Sequence, residues 1–333
     1  MSLTNPASLI IGAGLMGGYH ARSAASAGAR IVGVVDRDLA AARSLAAQWA
    51  GAAAWSDLDQ ALNAGAASVA HVCTPPPTHV DIARAVADAR LHTLIEKPLA
   101  ETASEVRLIH DGFAAAGKWV CPTHQYAFQR SVRTTTARLR DLGSLVSAAF
   151  DICSAGAAAG HITPDELIAE ILPHPLSILQ KLMPSIDVSE LDWSCIRSTP
   201  GEWIVSAPWR EAHLTMSLSA AGRPTRFLTR VTAERGSIEI DHFHDFAVAH
   251  WGTVSKAQKV LAPFTRSSRE FGVATWNLLA RAGRREFAYP GLNTLVGEFY
   301  AAVRDQSAPP ISPRESIAVA EARDTIIERA TRG

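Results

Sequence analysis

The chain has 333 residues, 32 basic against 32 acidic side chains, and 47% hydrophobic against 19% charged residues. That length favours two domains of ordinary size, the composition excludes a disordered chain, and a net charge of zero gives no electrostatic reason to expect nucleic acid or an acidic membrane as partner. No apolar run approaches the roughly eighteen residues of a bilayer span, no cationic leader is evident, and four scattered cysteines (Cys73, Cys121, Cys153, Cys195) read as reduced thiols, so the expectation is a cytoplasmic protein.

The first element is an apolar strand, Leu9-Ile10-Ile11, running directly into Gly12-Ala13-Gly14-Leu15-Met16-Gly17-Gly18 and an alanine-rich helix to about Ala27. In Gly-x-Gly-x-x-Gly, Gly12 allows the tight turn and Gly14 lets the backbone approach a pyrophosphate. Gly17 lets the helix pack on the sheet, and the helix N-terminus offers its N–H groups to the phosphates. A second strand, Arg30 to Val35, ends in Asp36, nineteen residues after Gly17, where an acid can take ribose hydroxyls. Strand, glycines, helix, strand and acid in this order read as a dinucleotide site. Asp36 favours NAD, because a carboxylate repels a 2′-phosphate, while Arg37 next to it leaves NADP possible.

Further along, the pattern predicts a helix from Leu39 to Ala50, a strand at Ala52–Trp55, and a short helix over Asp57–Asn63 capped by Ser56. A buried strand at Ser68–Val72 follows, then an extended loop Thr74-Pro75-Pro76-Pro77-Thr78 with Thr78 capping a helix to about Ala89. His92 to Ile95 is the next strand and ends in Glu96-Lys97-Pro98. A helix over 104–116 precedes a last strand near Trp119-Val120. Strand–helix alternation of this kind implies a parallel sheet covered on both faces. From about 122 the texture changes. Gly143-Ser144-Leu145-Val146 opens a strand to about Cys153, and stretches over 203–207, 213–219, 228–232 and 237–240 follow at hairpin-like spacing and imply a largely antiparallel sheet. Pro175 suits the first turn of a helix over 176–183, which would leave His174 at its N-terminus, where the helix dipole favours neutral imidazole. Ser312-Pro313-Arg314-Glu315 is a capping-box start for a final helix.

Taken together, Gly12-x-Gly14-x-x-Gly17, Thr74-Pro75 after the fourth strand and Glu96-Lys97-Pro98 after the fifth make the chain resemble the Gfo/Idh/MocA family, most specifically in the first hundred residues. The resemblance implies an α/β protein with a doubly wound parallel (Rossmann) domain over 1–121. An α+β domain with a mostly antiparallel open sheet would span 122–333, with the last helix, about 313–331, able to pack back on the first domain. It implies hydride transfer between NAD(P) and a hydroxyl or carbonyl carbon of a sugar, cyclitol or sugar derivative, and a homodimer or tetramer through the C-terminal sheet. By the same resemblance Leu15, Met16, Thr74, Pro75, His79, Glu96 and Lys97 join Gly12, Gly14, Gly17, Asp36 and Arg37 as cofactor-binding residues.

Lys97 lies just beyond the carboxyl end of a parallel strand, the edge where such sheets bind ligands. An ammonium there can polarise a carbonyl or stabilise an alkoxide. With only five lysines among the 32 basic residues, a surface position would more readily have been filled by arginine. In Glu170-Ile171-Leu172-Pro173-His174-Pro175, His174 matches the family's catalytic histidine, and Glu170 stands where the family commonly has Asp. His174 is expected to relay the hydroxyl proton and Glu170 to orient or tune it. Gln125 and Tyr126, after the last strand of the first domain with His124 and Arg130, are expected to contact substrate. The family's Arg-x-x-Pro is replaced here by Arg130-Ser131-Val132-Arg133.

His242, His244 and His250 with Asp245 lack a further convincingly spaced ligand and read as ordinary histidines rather than a metal site. The basic stretch 256–290, with Arg281, Arg284 and Arg285, reads as a solvated or oligomer-facing helix. Two rival functions share the pattern: an enzyme that uses tightly bound NAD transiently for sugar elimination or glycosidic cleavage, and a non-catalytic dinucleotide or sugar sensor.

Overall fold

Six short runs, mostly buried except at the edge strand β3, become the strands of one parallel sheet: β1 (Ala7–Ile11), β2 (Arg30–Val35), β3 (Ala53–Trp55), β4 (Val69–Val72), β5 (His92–Ile95) and β6 (Val120–Pro122). Their order is β3-β2-β1-β4-β5-β6, the doubly wound arrangement whose strand order reverses between β1 and β4. The computed structural model describes residues 6–154, 162–252, 255–284 and 288–332. The chain divides into two units, one of residues 1–124 with 292–320 and one of 125–291 with 321–333. The helix α10 (Leu292–Asp305) thus belongs to the first unit, which sequence order alone did not suggest.

In the first unit, α1 (Leu15–Ser26), α2 (Leu39–Ala46), α3 (Leu58–Asn63), α4 (His79–Asp88) and α5 (Ala103–Ala116) alternate with the strands. Leu9, Ile11, Val35, Val72, Val86, Ile95, Ile109 and Phe113 form a common core. Both sheet faces are covered, so the strands carry continuous apolar runs. α5 begins in a Thr102–Glu105 capping box and stops at Gly117, whose φ of 65° suits a left-handed C-cap.

Two expected caps are corrected. α3 is capped by Asp57, whose carboxylate accepts the Gln60 N–H at 2.8 Å, not by Ser56. Thr78 caps nothing: Pro76–Thr78 is a 3₁₀ turn, and the Thr78 hydroxyl is engaged with Thr74 Oγ1 and the Pro75 carbonyl. The proline run is therefore extended only as far as Pro75.

In the second unit, β7 (Leu145–Cys153), β8 (Ser194–Thr199), β9 (Glu202–Trp209), β10 (Ala212–Ser219), β11 (Arg226–Ala233), β12 (Gly236–Asp241) and β13 (Phe246–Trp251) form a sheet in the order β13-β12-β11-β7-β10-β9-β8. Every pairing is antiparallel except β7 with β10. β9 and β10 alternate buried and solvent-facing residues, as a sheet covered on one face must. α6 (Arg130–Leu139) starts where the Asp245 carboxylate accepts the Ser131 N–H at 2.9 Å. The stretch read as a basic helix is α9 (Lys256–Arg284), and Arg285 lies outside the described residues. The final helix, α11 (Pro313–Arg332), opens with the expected Ser312–Glu315 capping box.

Burial of histidines gives the first unit a pH signature. Desolvation lowers His71, His79, His92 and His110, the last two to about 4. Their unfolded counterparts take up protons near pH 6.5, so this stability is complete above that pH and is lost as pH falls towards about 4. For His110, which is 6% exposed, the loss is on the order of 3 kcal/mol. Urea unfolding midpoints should therefore fall steadily between pH 6.5 and 4, and His110→Leu should make that fall shallower. An unchanged slope in the variant would show that His110 carries none of it.

Candidate active site

At the carboxyl edge of the parallel sheet, ladder hydrogen bonds continue one residue past the strands. Gly12 N–H reaches Val35 O at 2.7 Å, Asp36 N–H reaches Trp55 O at 3.1 Å, Cys73 N–H reaches Ile11 O at 2.7 Å, and Glu96 N–H reaches Val72 O at 2.9 Å. Four loops of chemical interest are thereby pinned to one edge.

A cavity of about 540 Å³ opens there, lined by Gly12, Gly14, Leu15, Met16, Asp36, Arg37, Thr74 and Pro75 among others. Gly12 has φ +101°, and a Cβ there would meet the Cys73 carbonyl at 2.7 Å. A Cβ on Gly14 would meet nothing within 4 Å, so the cavity side of that residue is open space. α1 begins at Gly14 with no side-chain cap, leaving its first-turn N–H groups for an anionic ligand. Asp36 is oriented by the backbone: Oδ2 accepts the Ala13 N–H at 2.7 Å and Oδ1 the Asp38 N–H at 2.9 Å. Cavity size, open glycine, uncapped helix and fixed carboxylate all fit a dinucleotide. Sequence reasoning missed Ser56, Leu58, Cys73, Thr78 and Ile82 in the lining. Leu58 and Ile82 are apolar helix residues, and nothing in their local sequence marks a ligand contact.

Four residues expected at the cofactor, Gly17, His79, Glu96 and Lys97, stand outside that lining. Gly17 is packed beneath it, where a Cβ would come within 1.9 Å of the Gly12 carbonyl oxygen. His79 is fully buried and turned to backbone carbonyls, with Nε2 2.8 Å from Thr74 O and Nδ1 3.0 Å from Pro98 O. It lies between the Thr74-Pro75 loop and the Lys97-Pro98 loop, its single N–H donated to one of these carbonyls, instead of facing a ligand. Glu96, 7% exposed, engages His20 Nε2 at 2.9 Å and the Lys97 N–H at 3.1 Å. Lys97 itself is half-buried, directly after β5.

In the second unit, α7 (Pro164–Ile171) runs through Leu172, which is itself helical, into α8 (Pro173–Leu182). This corrects the expected helix start. His174 sits inside the first turn of α8 and one turn beyond Glu170. The Leu172 N–H bonds Ile168 O at 3.0 Å, and the Leu176 N–H reaches Leu172 O at 3.3 Å. The carbonyls of α7 therefore meet the start of α8, and the dipole argument for His174 does not apply. His174 is 8% exposed and meets Tyr126 edge-to-face at 4.7 Å between centroids, with Phe227 at 6.4 Å. Burial raises the Tyr126 hydroxyl well above the ordinary tyrosine range. Gln125 is buried, and its Oε1 has no hydrogen-bond partner among the described residues.

The histidines considered for a metal are placed separately. His242 is buried between Thr229 Oγ1 at 2.8 Å and Gln129 Oε1 at 2.9 Å, and desolvation lowers it to about 3. His244 is solvent-facing and paired with Asp241 at 2.8 Å. No group of three or more metal-ligating side chains occurs among the described residues.

The model of an oxidoreductase family with an NAD-binding Rossmann fold, GFO_IDH_MocA, matches residues 7–124. Over residues 7–124, then, the chain is similar to the NAD-binding domain of the Gfo/Idh/MocA family. Inositol 2-dehydrogenase 1 of Saccharopolyspora erythraea is 30% identical over 183 residues, 53% of this chain and 54% of that one. Inositol 2-dehydrogenase of an Arthrobacter species is 38% identical over 92 residues, 27% of each chain. The match thus spans about half the length of the one relative and about a quarter of the other. The WlbA dehydrogenase of Bordetella pertussis, solved with NADH and UDP-GlcNAcA, superposes over 100% of this chain and 97% of its own. Its TM-score is 0.78 at 14% identity, a likeness of fold.

The family model that matches residues 7–124 is described as an NAD-binding Rossmann fold, and the fixed Asp36 carboxylate lines the cavity of that unit. Removing the carboxylate in Asp36→Ala should weaken NAD binding about ten- to a hundredfold, the loss of one or two hydrogen bonds to a charged group. It should also narrow the gap to NADP. Fluorescence titration with both reduced cofactors reads both effects, and an unchanged NADH-to-NADPH affinity ratio would remove Asp36 from cofactor selection.

Proposed function

We propose that this chain is an NAD-dependent dehydrogenase acting on a secondary hydroxyl of a cyclitol or sugar. The observation that carries the reading is the placement of Lys97 at the same sheet edge as the dinucleotide cavity, on the loop after β5. When bound, the nicotinamide would supply the hydride acceptor or donor. The Lys97 ammonium polarises the reacting oxygen and stabilises negative charge as it develops there. His174 takes the hydroxyl proton in oxidation and returns it in reduction. Its Nδ1 is wholly buried, which leaves Nε2 for that transfer. Glu170, one turn before His174, tunes the imidazole, and Gln125 with its uncommitted buried carbonyl accepts a substrate hydroxyl. Cyclitols stand first because the relatives at 30% identity or more are named inositol 2-dehydrogenases, whereas the nucleotide-sugar enzyme shares only 14%.

The same reading extends to self-association through the open sheet face of the second unit. There Ile196 and Ile204 pair across β8 and β9 with both side chains exposed, and α9 turns Phe264, Phe271 and Trp276 to solvent. Among the described residues no helix is long and apolar enough to cross a membrane.

The test follows NADH absorbance with myo-inositol, other cyclitols, hexoses and UDP-linked N-acetylhexosamines. Net turnover of a cyclitol or free sugar supports the reading. Tight NAD binding without net turnover on any of them overturns it in favour of transient redox chemistry or a sensor.

A further inference from the structure

Behind the Lys97 loop, the first unit buries an unbroken chain of polar side chains drawn from five elements. Ser8 on β1 lies 2.5 Å from the Tyr300 hydroxyl on α10, which lies 2.8 Å from His71 Nε2 on β4. His71 Nδ1 lies 2.9 Å from His20 Nδ1 on α1, and His20 Nε2 lies 2.9 Å from Glu96 Oε1 at the end of β5. Ser8, His20 and His71 are fully buried, and Tyr300 is 3% exposed. Glu96 Oε2 then accepts the Lys97 N–H at 3.1 Å, so the chain ends on the backbone of the lysine loop.

The donor order follows from the chemistry of the groups. An ionised carboxylate only accepts, so His20 Nε2 carries a hydrogen. Desolvation, with His20 beside it, lowers His71 well below the usual imidazole range, so its ring is neutral with one N–H. One hydrogen per ring satisfies every member: Ser8 donates to Tyr300, Tyr300 to His71, His71 to His20, and His20 to Glu96. Buried polar groups are costly unless paired, and here all five share one direction that ends on Glu96.

We propose that His20 is a positioning residue that holds Glu96, and through it the backbone of Lys97, so that the glycine-loop helix α1 and the lysine loop move as one body. The inference rests on the reading of Lys97 as the oxygen-polarising group. Without the His20 donor, a carboxylate with 7% exposure loses its partner on Oε1 and turns to find another, and the Lys97 loop shifts with it. A displacement of about 1 Å at a reacting group is enough to lower a rate about a hundredfold.

The experiment needs no known substrate. Lys97 is acylated with an amine-reactive reagent at fixed pH and its rate is read by peptide mass spectrometry against Lys118 in the same sample. Wild type is compared with His20→Leu, His20→Asn and His20→Gln, all with NADH bound. Leucine removes both ring nitrogens, asparagine keeps only a group at the Nδ1 position, and glutamine restores a donor at the Nε2 position. The Lys97 to Lys118 ratio should change by about threefold or more in the leucine and asparagine variants and return close to wild type in the glutamine variant. An unchanged ratio in His20→Leu and His20→Asn overturns the proposal. So does an equal shift in all three variants, which would mark a general disturbance of α1. If His20→Leu fails to fold, the asparagine and glutamine pair decides alone. On a turned-over substrate, His20→Asn should lower kcat with the NADH dissociation constant and KM little changed, and His20→Gln should recover it. If Lys97→Ala leaves turnover intact while the labelling pattern holds, the catalytic reading of Lys97 fails and the brace stands. If Lys97→Ala is inactive and the labelling ratios are flat, the brace alone fails.

Discussion

Lys97→Ala is expected to lower kcat at least a hundredfold and up to about ten-thousandfold, the range for removing a positioned acid–base or charge-stabilising group. Its side chain follows β5 and its N–H is already held by Glu96, so the loss falls on the amine and leaves the loop in place. NADH affinity should stay within about threefold of wild type, because the cavity lining does not include Lys97. Lys97→Arg keeps the charge but not the compact, titratable ammonium, and should recover little. Steady-state kinetics beside NADH fluorescence titration separates the two effects. Loss of cofactor binding in step with kcat would instead make Lys97 a cofactor residue.

Gly17→Ala is expected to remove NAD binding through the fold of the loop, whereas Gly14→Ala should remove it with the fold intact. A Cβ on Gly17 would lie 1.9 Å from the Gly12 carbonyl oxygen, a backbone atom whose residue is fixed by the Gly12 N–H bond to Val35 at 2.7 Å. Neither partner can yield cheaply, so α1 must lift from the turn. The dissociation constant for NADH should rise at least about a hundredfold, and the melting temperature should fall by several degrees. A Cβ on Gly14 meets no protein atom within 4 Å but occupies open cavity space. Gly14→Ala should therefore melt like wild type and still bind NADH poorly. Thermal melts with and without NADH distinguish the two. A Gly14→Ala variant that binds normally would place the pyrophosphate elsewhere.

Much of the first unit was legible because its signals are local. The turn glycines, Asp36, the His92–Ile95 strand and the Ser312–Glu315 capping box each follow from a few neighbouring residues. Local reading failed where two neighbours compete for one task. Asp57 took the α3 cap from Ser56 because its carboxylate reaches the Gln60 N–H, and Thr78 turned to Thr74 because Pro76–Thr78 tightened into a 3₁₀ turn. His174 was misplaced for a related reason: Pro175 suggested the first turn of a new helix, but Leu172 keeps helical dihedrals and joins α7 to α8.

By itself, the sequence determined the parallel-sheet unit, its glycine loop and the position of Lys97 after a strand, since strand, turn and helix propensities act over spans of a few residues. Only the tertiary structure decided that α10 joins the first unit and that Ser8, His20, His71, Glu96 and Tyr300 form one hydrogen-bonded chain. His20 meets residues 51 and 76 positions away, and His71 meets one 229 positions away. No local pattern encodes such pairings. They arise when packing buries polar side chains together and each must find its hydrogen-bond partner away from water.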